Sequence, residues 1–534
     1  MQKSKIRYRG GVAAGALAVG LISGVAASAQ DYSGITINIL TRPGPVIAQR
    51  LVERGEEFTA ATGAEIRVNE VPFAELFPKV LTDWATGTNS IDVGVIASGW
   101  AVELVGGGLL ENLDPYVAAD DKIDIDDIAP YFREFNQKIG GSTYLITIDG
   151  DFQMLYYRTD VLADIGMDPP RNWDEYMAVA KAAHGRDMNG DGEADYGSCI
   201  FKKRNAQSYF AVMSIAAGFV QSQGTSEGIF FDAETMKPKV NNEAWIEAFN
   251  IYKATGEFGP TDELNHDIGD TRALVTGGRC ALMIDWGDIG PLSIDPDGAA
   301  IKDKIGAIIM PGTSRVLDPA TGKLVDCNAT TCPHAIDGIN YSPFAAFGGW
   351  SGMINAKSDA DVKQASYDFL SYMNQAAQSN VDVTMGWTGY NPYRNSQLDN
   401  YDNWLKAGFS QEFAENYLGA IKDSLNSPNM ASDIRIPGAA QYTGVILDRE
   451  LARFLAGDIT AAEAVANGEP QRRRECRPIA GSIGPRALPK LQLPLGHHQP
   501  ARVRRLDAIL LTQRDDLGDH LLRFTVSPDL IDQV

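Results

Sequence analysis

Ile35-Thr-Ile-Asn-Ile-Leu40, then a helical pattern over 46–62, then Glu65-Ile-Arg-Val-Asn-Glu-Val71 decide the class of fold. The first run is β-branched and apolar enough for a buried strand. In the second, Ile47, Leu51, Phe58 and Ala61 are spaced for one buried helical face. A second helix over 73–85 and a third strand, Ile91-Asp-Val-Gly-Val-Ile96, continue the alternation. Strand–helix–strand order at these spacings predicts α/β lobes with mostly parallel sheets flanked by helices. The same alternation returns at 144–158, 173–183, 281–286, 305–310 and 345–355. A chain of 534 residues fits two such lobes better than one enlarged sheet.

Composition narrows the function. Apolar residues are 44% and charged residues 22%, ordinary for a folded chain, and the net charge is −22. An excess of 69 acids over 47 Lys and Arg argues against a nucleic-acid partner, whose affinity comes from cations neutralising phosphates. Residues 1–29 pair a basic start (Lys3, Lys5, Arg7, Arg9) with an uncharged run over 11–25 and the small residues Ala27-Ser28-Ala29. That is the pattern of a cleaved export signal, with Gln30 as the mature start, and the mature protein is expected to be periplasmic. The segment 471–534 carries 10 Arg and 1 Lys against 7 acids and lacks periodicity. With +4 on residues 1–29 and +4 on this tail, residues 30–470 hold −30. The tail reads either as a basic interaction arm or as a shifted reading frame near Glu469. The uncapped end of the helical pattern at Ala461–Ala466 favours the shift.

Cysteine usage agrees with export. Cys327 and Cys332 flank a four-residue segment in a Gly/Pro/Asp-rich stretch suited to a local disulfide, and zinc would need more ligands than this pair and His334. Cys199 and Cys280 read equally as a second bridge or as two buried thiols. One loop carries metal chemistry. Asp187, Asn189, Asp191, Glu193 and Asp195 place oxygens at positions one, three, five, seven (through the carbonyl) and nine, with Gly192 at the sharp turn. This spacing suits structural Ca²⁺. Position twelve is Ser198, so the bidentate Glu of an EF-hand is missing, and a metal-free Asx turn is the alternative.

The longer constellation is Ser98-Gly-Trp100, Gly108-Leu-Leu-Glu-Asn-Leu-Asp-Pro-Tyr116, Asp149-Gly-Asp151 and Leu155-Tyr-Tyr-Arg-Thr-Asp-Val-Leu162. It continues with Pro169-Pro-Arg-Asn-Trp173, Gly277-Gly-Arg-Cys-Ala-Leu-Met-Ile-Asp-Trp286, Gly348-Gly-Trp-Ser351 and Gly389-Tyr-Asn-Pro-Tyr-Arg394. In order and spacing, over about 31–470, this resembles the family 1 extracellular solute-binding proteins of bacterial ABC importers, the sugar-binding group that includes maltose-binding protein. The tail departs from that group, whose chains usually end in the helix beginning near Ala461. The acidic loop is similar to the calcium loop of some members.

The resemblance implies a two-lobed periplasmic-binding-protein fold with three crossover segments. It divides the chain into a first lobe of 30–148 and 345–404 and a second of 149–344 and 405–470, and implies a monomer that delivers a carbohydrate to permease subunits. The residues themselves suit a sugar, which offers apolar ring faces and many hydroxyls. Trp100, Trp286, Trp350, Tyr390 and Tyr393 supply platforms; Asp149, Asp151, Asn391 and Arg394 supply directional hydrogen bonds. All lie in Gly-rich loops or at strand ends, where ligands bind in open α/β sheets. Trp173 follows a helix-start pattern and is assigned to packing. A secreted glycoside hydrolase is the alternative, but Asp149 and Asp151 are too close in sequence to face each other across a sugar bond. No catalytic residue is assigned: His184, His266 and His334, the histidines of 30–470, lack a nucleophile context. A calcium-dependent adhesion module has one loop and no repeats behind it.

Overall fold

The computed structural model describes residues 30–469 apart from 233–234, 296–298 and 347. The expected export signal and the basic tail at 471–534 lie outside the described residues. Two sheets organise the chain. Their strands are β1 (Thr36–Thr41), β2 (Glu65–Glu70), β3 (Val93–Ala97), β4 (Ile146–Thr147), β5 (Met154–Arg158), β6 (Tyr196–Cys199), β7 (Cys280–Asp285), β8 (Ile305–Ile309) and β9 (Trp350–Ile354). The first sheet has the order β2-β1-β3-β9-β4 and the second β8-β5-β7-β6.

Each sheet contains one reversed strand. In the first, β1 runs parallel to β2 and β3, whereas β9 is antiparallel to both β3 and β4. In the second, β6 and β7 are parallel and β5 opposes both β7 and β8. The reversed strands are those by which the chain arrives from the other sheet, so they enter at the end where their neighbours finish. The central strands β3 and β7 are buried along their whole length, and their sequences are accordingly near-continuous apolar runs. Strand β2 lies at an edge and is largely exposed, which matches its Glu, Arg and Asn content.

The helices follow their caps. Asn172 Oδ1 accepts the Glu175 N–H at 2.9 Å and opens helix Trp173–Ala183, burying Trp173 as expected. The first helix runs over Arg50–Thr62, preceded by a wider turn led by Pro45, and ends at Gly63, whose φ of +79° only glycine adopts cheaply. Helix Ala461–Gly468 opens with a capping box between Thr460 and Glu463. Both disulfides form. Cys199, at the end of β6, joins Cys280, at the start of β7, with Cα atoms 6.0 Å apart, and Cys327 joins Cys332 at 5.2 Å. No helix among the described residues is long and apolar enough to cross a membrane.

Candidate functional site

Strand register places the expected platforms. Ala97, the last residue of β3, pairs with Trp350, the first of β9, and Trp100 lies in the turn that follows β3. Both tryptophans therefore stand at the carboxyl edge of the first sheet. In the second sheet Asp285, the last residue of β7, pairs with Met154, the first of β5, and Trp286 comes next. The chain leaves β4 at the carboxyl edge of one sheet, beside Ser351, and residues 148–153 carry it to the carboxyl edge of the other. The edges where α/β sheets bind ligands are thus joined by a short crossover.

Each platform is set in aromatic packing. Trp100 lies 5.3 Å from Phe73 and 5.5 Å from Phe77, and Phe73 also meets Trp350 edge-on at 6.1 Å. Trp286 stacks on Phe201 at 5.5 Å and 17°, with Phe210 edge-on at 5.7 Å. The Trp350 and Trp286 contacts are the favoured stacked and T-shaped ones, and the two Trp100 contacts are tilted at 49° and 52°. The tryptophans are 8%, 3% and 2% exposed for Trp100, Trp350 and Trp286.

Asp149, Asp151 and Asn391 come together, although they face one another. The Asn391 amide Nδ2 donates to Asp149 Oδ1 at 3.0 Å, Asp151 Oδ1 at 2.7 Å and Asp288 Oδ2 at 3.4 Å, and its backbone N–H donates to Asp149 Oδ1 at 2.6 Å. Arg272 clamps the second-lobe side: it donates to Asp285 at 2.9 and 2.6 Å and to Asp288 at 2.7 Å. Burial, reinforced by Asp288, pushes the Asp149 carboxyl up to about 7. Burial and the Asp149 charge hold Asp151 well above the usual carboxylate range. Burial also raises Asp285 to about 6 against the opposing pull of Arg272.

The remaining expected ligand residues have other work. Arg394 is fully buried, and its guanidinium donates to the carbonyls of Ile123, Asp124 and Asn374 and to the Asp127 carboxylate. Its two Nη groups are spent on these interior acceptors, and its buried Nε has no acceptor. Tyr393 lies under that guanidinium, 5.7 Å from it, and the Tyr390 hydroxyl donates to the Ile47 carbonyl at 3.3 Å. Both rings are buried. Sequence reading missed Phe73, Phe201 and Phe210, which look like ordinary helix and loop aromatics, and Arg272. Asp288 was within reach of the pattern, two residues past Trp286 in a Gly-flanked turn.

The acidic loop is closed by its own hydrogen bonds. Asp187 accepts from Gly190 N at 2.7 Å and Gly192 N at 2.9 Å, and Asp191 accepts from Glu193 N at 2.8 Å. Asp187, Asn189 and Asp191 remain exposed. Asp195 departs from the expected ligand set: it is buried, accepts from Met188 N at 2.7 Å and pairs with Arg279 at 2.7 Å. Among the described residues no three His, Cys, Asp or Glu side chains gather as a metal group.

Two α/β sheets, joined at their carboxyl edges by the short segment 148–153 and carrying aromatic rings at both edges, make a two-lobed fold of the binding-protein kind. The model of the family described as bacterial extracellular solute-binding protein matches residues 53–408. This chain belongs to that family, whose members are binding proteins. It is 26% identical over 230 residues to a putative binding protein of Brucella abortus, covering 42% of this chain and 50% of the other. It is 28% identical over 266 residues to an erythritol/L-threitol-binding protein of Mycolicibacterium smegmatis, covering 47% and 54%. The chain thus spans about half the length of these curated relatives. In structure it is similar to an ABC transporter solute-binding protein of Agrobacterium radiobacter in complex with ribitol. That likeness has a TM-score of 0.67 at 20% identity and covers 82% of this chain and 98% of the other.

Proposed function

We propose that this chain is the exported substrate-binding component of an ABC importer. It works as a periplasmic monomer, captures a sugar, oligosaccharide or polyol between its lobes, and hands it to permease subunits in the inner membrane without chemical turnover. The observation that carries this reading is the placement of Trp100 and Trp350 at the carboxyl edge of one sheet and Trp286 at that of the other. Rings on both sides suit a ligand with an apolar ring or chain face and a hydroxylated rim. The polyol names attached to two of the similar proteins agree with that chemistry. The hydrolase alternative loses its best pair, since Asp149 and Asp151 both lie on one amide inside the crossover region.

The loop at 187–195 is proposed to take structural Ca²⁺ through Asp187, Asn189, Asp191 and the Glu193 carbonyl, with Asp195 serving as the inner anchor on Arg279. Thermal-shift screening against ribitol, erythritol, maltose and a uronate tests the main reading. A bound ligand at 100 times its Kd raises stability by about 2.7 kcal/mol. Silence across the panel, or steady release of a hydrolysed product, overturns it.

A further inference from the structure

We propose that the Asp149, Asp151 and Asp288 carboxyls, gathered on the Asn391 amide, form a proton-binding site that couples the angle between the lobes, and with it ligand affinity, to pH. The inference rests on the two-lobed fold and, for its ligand arm, on the function proposed above. The four residues come from three separate segments of the chain. Asp149 and Asp151 lie on the crossover between β4 and β5, Asn391 on the segment 389–394, and Asp288 on the turn after β7. The 389–394 segment is packed onto the crossover: Gly150 N–H donates to the Asn391 carbonyl at 3.2 Å, and a Cβ on Gly150 would meet the Pro392 carbonyl at 2.6 Å. Hinge closure works by changing backbone angles at a few such residues. Any change of lobe angle therefore moves Asp288 relative to the Asp149–Asp151 pair.

Charge decides what the cluster holds. Facing it are Asp285 and Arg272 from the second lobe, the hydroxyls of Tyr156, Tyr417 and Tyr390, and Arg42 from the turn after β1, which also feels Asp267. Arg272 is committed to Asp285 and Asp288. Asp149 and Asp151 share the Asn391 side-chain amide, and Asp149 Oδ1 also accepts the Asn391 backbone N–H. Asp149 Oδ2 is fully buried and receives no donor, yet the two carboxyls lie within hydrogen-bonding reach of each other. Two buried carboxylate oxygens in contact repel unless a proton lies between them, and no donor reaches Asp149 Oδ2. One proton taken from solvent, shared by the pair and donated from Asp151 to Asp149 Oδ2, completes the set.

The direction of the effect follows. The packed arrangement raises the Asp149 carboxyl to about 7, through burial first and Asp288 second, so this arrangement takes up a proton that a hydrated, opened cluster releases. Stabilisation of the packed arrangement is complete below the ordinary carboxylate range and is lost as pH rises through about 7. For one ionisation centred there, affinity for a ligand that requires closure falls about tenfold between pH 6 and pH 8 and levels off above.

Two measurements on the full chain test this. Small-angle scattering of the ligand-free protein should show the radius of gyration rising from pH 6 to pH 8. Calorimetric titration with ribitol at pH 6, in two buffers of different ionisation enthalpy, should show uptake of a fraction of a proton per ligand, equal to the share of ligand-free molecules still open there. Asp149→Asn supplies a neutral group that still donates to Asp151, and should remove the pH dependence of both readouts. If circular dichroism shows Asp149→Asn unfolded, Asp151→Asn is read in its place. A radius that is constant over this range in the wild type, or a variant that keeps the wild-type profile, overturns the proposal. Should ribitol fail to bind, scattering alone decides the proton site and the failure falls on the substrate class.

Discussion

Replacing Arg394 by Ala separates ligand recognition from architecture most cleanly. The side chain is fully buried and its guanidinium satisfies three backbone carbonyls, of Ile123, Asp124 and Asn374, besides pairing with Asp127. Asp127 keeps the N–H and hydroxyl of Ser396 at 2.9 and 2.6 Å, so the loss falls mainly on the carbonyls. An acceptor stripped of its donor in the interior costs about 1–3 kcal/mol, and water entering the vacated space recovers part of that. The expected destabilisation is about 3–5 kcal/mol, in the range for breaking a buried charged contact on one side. Unfolding entropy is roughly 2.1 cal/mol/K per residue, so a lobe of roughly 200 residues unfolding as a unit loses about 2.4 °C per kcal/mol. Calorimetric melting should show Tm lower by roughly 7–12 °C. Ligand affinity, measured well below the new Tm, should stay within about twofold of wild type. A collapse in affinity with Tm unmoved would show that Arg394 reads the ligand and that its interior contacts are incidental.

Trp286→Ala removes a ring stacked on Phe201 and met edge-on by Phe210, so it should cost about 3–5 kcal/mol of stability. It should also weaken carbohydrate binding at least roughly thirtyfold, from about 2 kcal/mol of lost anchor; normal binding by a destabilised variant would place the pocket elsewhere. The Cys199–Cys280 bridge spans 81 residues and the Cys327–Cys332 bridge 5, so chain entropy assigns them about 4.5 and 2 kcal/mol. Urea midpoints of the two double Ser variants should fall in that order, and the reverse order would refute the entropic account. Chelation of Ca²⁺ should lower Tm in the wild type but not in Asp187→Ala/Asp191→Ala, because an ion bound only to the folded state stabilises by mass action. A wild-type Tm indifferent to Ca²⁺ would leave the loop as a turn.

How far the fold is legible in the sequence depends on the chain distance over which each feature is decided. Asn172 caps its helix by reaching Glu175, three residues away, and the Pro-Arg-Asn-Trp-Asp-Glu pattern states this openly. Strands β3 and β7 announce themselves because burial on both faces demands unbroken apolar runs. The Cys199–Cys280 pairing, 81 residues apart, stays open until β6 and β7 are set side by side. At the site the distances grow longer still. The aromatic platforms are legible as residue types next to strand ends, but not the Phe73, Phe201 and Phe210 partners that orient them.

The inward turn of the acids has a definite physical source. Asp-Gly-Asp at 149–151 and Gly-Tyr-Asn at 389–391 each look like ligand loops, because small residues beside hydrogen-bonding groups are what a sugar site needs. The contacts that turn them toward each other join Asn391 to Asp149 and Asp151 across 242 and 240 residues. Gly150 is the reason they meet. Its missing side chain leaves room for the Pro392 carbonyl, the Phe132 ring and Tyr393 Cβ, all of which a Cβ would strike at 2.6–2.9 Å. The glycine that gives the segment the look of a ligand loop is thus the close-approach point that lets the 389–394 segment lie on the crossover. A polar pair flanking such a glycine is turned toward the approaching backbone and its side chains, away from solvent. Whether two acids around a glycine face a ligand or a hinge is settled by which distant segment comes to rest on the glycine, and here that segment carries Asn391.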